Sequence, residues 1–344
     1  MRRAGLVTLL LGLTIAGCGN ATTNGSTPAA PSAGATGSVA TTASSADGKK
    51  LNVVTTVAPL TNIVRNIGGD KIELHGIIPD GTDSHTFEPA PSDAQILGNA
   101  DLILVNGLHL ESPTEKLADA NKRPGVETVR FGDNTINQKE WIFDFSFPQD
   151  KGDPNPHLWM NVQYAMSYAK IARDALIKAD PANKEYYTKN ADTYLAKLKQ
   201  LDEAIAASVQ TVPEQQRKLV TYHDSWAYFA RRYGMTVIGA IQPSDFAEPS
   251  PQEVASMIDQ LKQEKVPALF GSEVFPSTVL EQVGKEAGVK YIDTLRDDDP
   301  PGKPTDANHT YIGMMLSDME TMIPALGGNA DALKTIDPVD SYAK

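Results

Sequence analysis

The sequence predicts an α/β protein of two (β/α) lobes with mostly parallel sheets, joined by one long rigid helix. Three observations carry this. Short β-branched runs alternate with runs of helical spacing on both sides of the chain's centre, a pattern of strand, helix, strand units whose parallel sheets need helices on both faces. Between these stretches, residues 181–209 hold one unbroken amphipathic pattern. Roughly 290 residues follow the N-terminal low-complexity region, enough for two domains. The expected division is a signal peptide at 1–17, a tether at 18–49, a lobe at 50–180, the linking helix at 181–210 and a second lobe at 211–344.

Arg2 and Arg3 precede an apolar run from Ala4 to Ala16 that is too short to span a bilayer permanently, and so reads as a secretory signal. It ends Leu13-Thr14-Ile15-Ala16-Gly17-Cys18, and Cys18 is the only cysteine, which excludes a disulfide within one molecule. The run resembles a bacterial lipobox, implying cleavage before Cys18 and a lipid on it; a lone buried thiol is the weaker alternative. Residues 19–49 are nearly all Ser, Thr, Ala, Gly, Asn and Pro, with too little apolar bulk to offset the entropy of ordering. Losing residues 1–17 removes two arginines and no acid, taking the formal charge from −12 to −14. That balance argues against a nucleic-acid partner, which needs clustered Lys and Arg.

The pattern then predicts strands at 52–57, 72–78 and 101–105, and helices at 59–67, 91–97 and 161–178. Gly68-Gly69 ends the first helix. The linking helix is marked by Tyr187, Ala191, Tyr194, Leu195, Leu198, Leu201, Ile205 and Val209 at spacings of three and four. Asp180 is expected as its N-cap and Pro181 in its first turn. At 1.5 Å per residue it reaches roughly 45 Å, about the span of a two-lobed protein. An ordinary surface helix of one large domain is the alternative. Beyond it come strands at 218–222, 235–241, 266–270 and 289–295, separated by helices at 225–233, 251–264, 276–287 and 309–326.

Three histidines lie in loops beside strand or helix ends. His85 sits in Asp83-Ser84-His85-Thr86-Phe87-Glu88-Pro89, after a strand and the turn Pro79-Asp80-Gly81, where open α/β sheets bind ligands. His157 sits in Asn155-Pro156-His157-Leu158-Trp159-Met160 before a helix, with Trp159 able to wall off water. His223 sits in Tyr222-His223-Asp224-Ser225-Trp226, where a strand gives way to a helix. Singly, each is more readily a structural or surface histidine; together they are harder to dismiss as candidate metal ligands. His75, His109 and His309, the rest of the six, read as surface or capping residues. Asp297, Asp298 and Asp299 offer a carboxylate at another strand end, or simply an acidic loop.

With these segments in order, plus Thr310-Tyr311-Ile312-Gly313-Met314 and the lipobox, residues 51–326 resemble the cluster A-I (cluster 9, TroA-like) solute-binding lipoproteins of bacterial ABC importers for zinc and manganese. The resemblance implies two α/β lobes clamping one metal in the cleft between them, with His85, His157 and His223 as ligands. An aspartate before the last helix would be the fourth. Leu295-Arg296-Asp297-Asp298 overlays the family's Leu, aromatic, Ser, Asp pattern and selects Asp298, although Arg296 replaces the aromatic and acidic neighbours flank it. It further implies a monomer, not an enzyme, anchored outside the cytoplasm through the lipid on Cys18 and delivering its ion to an ABC permease.

Three imidazoles and one carboxylate suit Zn²⁺, whereas Mn²⁺ prefers more oxygen. In the family, His at position 223 leans the same way. The alternative is Mn²⁺ or iron, and residues 86–156 hold only His109, not the His-rich loop of many zinc importers. Two other classes compete. A secreted zinc hydrolase needs an open position for water, which Asp298 would close, and the chain has no His-Glu-x-x-His. A surface adhesin has no sequence feature of its own here.

Overall fold

The computed structural model describes residues 49–274 and 278–342. Cys18 and the lipobox lie outside the described residues, as does nearly all of the tether.

The first sheet grows from β1 (Leu51–Thr55), whose Val53 and Val54 are buried on opposite faces. Burial on both faces is what a parallel strand under two helical layers requires. After α1 (Ala58–Gly68) comes β2 (Ile72–Gly76), then α2 (Asp93–Asn99) and the wholly buried β3 (Leu102–Val105). Three elements follow that the sequence pattern missed: α3 (Ser112–Asn121), the three-residue β4 (Thr128–Arg130) and the single-turn α4 (Phe131–Thr135). The strand order is β2-β1-β3-β4, all parallel.

Asn161 caps α5 (Val162–Ala179) by accepting from the Gln163 N–H at 3.0 Å. The linking helix α6 (Lys184–Gln210) runs 27 residues and buries Tyr187, Ala191, Tyr194, Leu198, Leu201, Ile205 and Val209, the predicted stripe. Its start departs from expectation. Pro181–Asn183 form a 3₁₀ turn, and the Asp180 carboxylate accepts from the Tyr187 hydroxyl at 2.8 Å and Asn183 Nδ2 at 2.6 Å rather than capping the backbone. A buried tyrosine hydroxyl needs an acceptor, and that demand outweighs the local cap.

The second sheet repeats the plan with β5 (Lys218–Thr221), α7 (Ala227–Tyr233), β6 (Thr236–Ala240), α8 (Pro251–Glu264), β7 (Ala268–Ser272), α9 (Thr278–Ala287) and β8 (Lys290–Leu295). Its order is β6-β5-β7-β8, again parallel. A capping box of Ser250 and Glu253 starts α8. The last helix, α10 (Tyr311–Ala325), begins two residues later than predicted because the Thr310 hydroxyl accepts from the Gly313 N–H. The architecture is thus the predicted two parallel sheets with a long helix between them in the chain.

One buried apolar cluster runs from Val53 through α5 and α6 to Phe270, Leu295 and Leu326, so both sheets share it. α10 touches α6, β8 and α1. The chain's end returns to α1, where Asp340 Oδ1 accepts from Asn62 Nδ2 at 2.9 Å and Asn66 Nδ2 at 2.8 Å. Among the described residues no helix is long and apolar enough to cross a membrane. This frame sets the carboxyl ends of β2, β5, β6, β7 and β8 as the source of the loops described next.

Candidate metal centre

The loop after β2 places His85. Asp83 fixes its turn, accepting from the His85 N–H at 2.9 Å and the Thr86 hydroxyl at 2.9 Å, the local bonding that makes Asp favourable in turns. The His85 ring stacks on Phe246, 4.6 Å between centroids and 13° apart, and tilts against Phe147 at 5.4 Å. A cavity of about 300 Å³, lined by His85, Phe147, Phe246, Pro156 and Asp153 among others, leads to this ring.

His157 is buried just before α5, and Asn155 holds it twice. Asn155 Oδ1 faces the His157 N–H at 3.1 Å and Nδ1 at 2.8 Å. The Asn155 amide donates in turn to Asp144 Oδ2 at 2.9 Å and to the Asp224 carbonyl at 2.7 Å. Trp159 lies edge-on to His157 at 5.1 Å, and its Nε1 donates to the Asp297 carbonyl at 2.7 Å. His223, buried after β5, points Nδ1 at Gln242 Oε1, 2.5 Å away. Amide oxygens only accept, so Nδ1 of both rings carries the proton and Nε2 keeps its lone pair.

Those lone pairs meet. His157 Nε2 lies 3.1 Å from His85 Nε2 and 3.0 Å from His223 Nε2. The three ligand atoms fall within 4.8 Å of one another, the one such group of three or more His, Cys or acidic residues among the described residues. Burial first, and then the facing His223, holds the His85 imidazole well below its ordinary value; burial, His223 and His85 do the same for His157. Imidazole nitrogens that converge in this way are donors for a cation, the chemistry a divalent metal requires.

The acidic loop after β8 forms the far wall. Glu273 Oε1, at the end of β7, accepts the N–H groups of Asp297, Asp298 and Asp299 at 2.9, 3.1 and 3.0 Å, and Asp318 Oδ1 accepts that of Arg296 at 2.8 Å. Asp298 is buried, and its Oδ2 accepts from the Ser84 hydroxyl at 3.0 Å while Oδ1 has no hydrogen-bond donor. Asp297 is also buried, beside Ser225 and Glu273, and its Oδ2 lies 3.6 Å from His223 Nε2. Asp299 Oδ2 accepts from the Gly81 N–H. Burial, then Glu273, raises the Asp297 carboxyl well above its usual range; burial, then Asp297, does so for Asp298, and Asp299 is pushed up to about 7, chiefly by burial.

The structure thus brings His85, His157 and His223 together, with Asp297 reaching His223 and Asp298 bonded to Ser84 next to His85; neither aspartate is part of the close group of three. The other histidines stand apart: His75 faces Glu73 at 3.7 Å on β2, His109 faces Asp153 at 3.7 Å, and His309 pairs with Asp80 at 3.4 Å ahead of the last helix rather than in it. Sequence reading missed Gln242, Glu273, Ser84 and Phe246. Gln242 and Glu273 each follow a strand's carboxyl end, the same signal that singled out His223. Nothing in the sequence marks Phe246, which takes a left-handed backbone with φ of 57°.

Comparison with known proteins identifies the family and the fold. Residues 53–325 match the model of the ZnuA family, described as zinc-uptake complex component A, periplasmic. The chain is 31% identical over 286 residues to the manganese-binding lipoprotein MntA of Halalkalibacterium halodurans, covering 83% of this chain and 91% of that one. It is 31% identical over 290 residues to the manganese ABC transporter substrate-binding lipoprotein PsaA of Streptococcus pneumoniae, covering 83% and 92%. Its fold superposes on the periplasmic zinc binding protein TroA from Treponema pallidum with a TM-score of 0.74 and 29% identity, over 81% of this chain and 99% of that one. The chain belongs to the ZnuA family of metal-uptake binding proteins.

Proposed function

We propose that this chain is the extracytoplasmic, lipid-anchored binding component of an ABC metal importer that captures a divalent transition ion with His85, His157, His223 and the Asp298 carboxylate. The convergence of three imidazole Nε2 atoms, two of the separations being 3.0 and 3.1 Å, carries the reading. Members of this family are solute-binding components and not enzymes, which sets aside the hydrolase. The names of MntA and PsaA as lipoproteins support a lipid at Cys18 and a permease as partner.

For the ion itself, the three-nitrogen set supports Zn²⁺, as does the description of TroA as a zinc binding protein. A second reading, Mn²⁺, is supported by the names of MntA and PsaA. Elemental analysis of protein purified without added metal, followed by Zn²⁺ and Mn²⁺ competition, tests both. One ion per chain is expected, lost in His85→Ala, His157→Ala or His223→Ala and kept in His75→Ala. Normal loading of His223→Ala would refute the cleft.

A further inference from the structure

We propose that Asp297 is a second oxygen ligand beside Asp298, so that the cleft holds its ion with three imidazole nitrogens and two carboxylates instead of a closed tetrahedron. This deepens, and rests on, the reading of the cleft as a metal site. Three observations lead to it.

The first is the state of the Asp297 side chain. It is 2% exposed, the polar groups beside it are Ser225, Glu273 and Asp299, and Oδ2 lies 3.6 Å from His223 Nε2. Buried carboxylates are ordinarily paired or metal-bound. With metal–ligand bonds of about 2.1 Å, ligand atoms sit roughly 3.0 Å apart at right angles and roughly 3.4 Å apart on a tetrahedron. A separation of 3.6 Å, here that of an ion pair, is also short enough for the two atoms to reach one ion.

The second is the spacing of the histidines. Separations of 3.1 and 3.0 Å between Nε2 atoms are those of hydrogen-bonded ring nitrogens, and they also match right-angled pairs of ligands, as in a site with more than four of them. The third is the backbone. In an extended chain successive side chains alternate, so Asp297 and Asp298 would face opposite ways. Here three successive N–H groups point at the single oxygen Glu273 Oε1, which requires a curled backbone. Asp298 reaches Ser84, next to His85, while Asp297 reaches His223.

A site of three nitrogens and two carboxylates is richer in oxygen and accommodates Mn²⁺ better than a four-ligand set does. Cobalt(II) substitution of the metal-free full chain reads the coordination number directly, because tetrahedral Co²⁺ absorbs visible light far more strongly than five-coordinate Co²⁺. The parent should give the weak bands and Asp297→Asn the intense ones. Mn²⁺ affinity should fall by at least roughly tenfold in that variant, the lower bound set by losses of mere supporting residues, and Zn²⁺ affinity by less. Asp297→Ser should behave alike, and metal-free melting of each variant checks folding. Intense bands in both parent and Asp297→Asn, or an unchanged Mn²⁺ to Zn²⁺ ratio, would overturn the proposal while leaving the cleft intact. Failure of the parent to take up Co²⁺, Mn²⁺ or Zn²⁺ would overturn the cleft itself.

Discussion

Replacing Glu273 separates its role as an acceptor from its charge. The side chain is only partly buried, yet Oε1 takes three N–H groups from the loop carrying Asp297 and Asp298. Hydrogen bonds to a charged acceptor contribute about 1.5–3 kcal/mol each. Three bonds sharing one oxygen near solvent are worth less than their sum, about 3 kcal/mol together. For a protein of this size that corresponds to a fall in Tm of about 6 °C in Glu273→Ala, with weaker metal binding because the loop must be reordered around the ion. Glu273→Gln keeps a carbonyl oxygen for the three amides, so most of the stability should remain. It also removes the negative charge that, after burial, most raises the Asp297 carboxyl. The pH at which protons displace metal should therefore move downward in the Gln variant. Thermal melts of metal-free protein and competitive titrations from pH 5 to 8 measure both effects. Equal losses in Ala and Gln would refute the acceptor role, and an unmoved pH profile in Gln would refute the electrostatic one.

Three further outcomes follow from other contacts. Gln242→Ala strips the acceptor from His223 Nδ1 and should cost about 10–100-fold in metal affinity; parent-like binding in a competitive titration would exclude that role. Glu111, buried and bonded to Thr56 Oγ1 and the Asn106 and Gly107 N–H groups, is pushed up to about 7 from 4.5, mainly by burial. A folded-state value raised in this way gives stability that is whole below about pH 4.5 and lost as pH rises through 7. Glu111→Gln should flatten that component by at most about 3 kcal/mol, and identical melting profiles for the two proteins would contradict it. Finally, the shared core and the bond from the Tyr311 hydroxyl to the Trp159 carbonyl at 2.6 Å resist lobe rotation. X-ray scattering should give the same radius of gyration with and without metal, and a clear contraction would mean hinge closure.

The elements legible in the sequence were those with strong periodicity. The stripe of α6 and the apolar runs of β3 and β7 stand out because burial demands them. β4 has three residues, too few for any period, and α3 mixes Pro113, Thr114 and charged residues over a weak stripe. Both are held by neighbours instead: β4 pairs with β3, and Arg130 on β4 bonds Glu115 on α3. The same division applies to the site. The three histidines are conspicuous because the residue type is rare and each is beside a strand or helix end. Whether Asp297, Asp298 or both face them depends on the curl imposed by Glu273, which lies 24 residues before Asp297, and no local pattern encodes that.

The return of the chain's end to α1 bears on when the protein folds. Asn62 and Asn66 are buried on one of the first helices to be made, yet 278 residues separate Asn62 from its acceptor Asp340. Asn62 Oδ1 accepts from the Tyr311 N–H at 2.9 Å, and Asn66 Oδ1 from that of Ser341 at 2.8 Å. Before those residues arrive, the amides have no such partners and water must serve them, so the apolar face of α1 cannot be sealed at full stability. Contacts this distant in sequence also form slowly. A chain secreted through a narrow pore has to stay unfolded until it is across, and one whose helix α1 waits for Tyr311, Asp340 and Ser341 delays its own folding until those residues have passed.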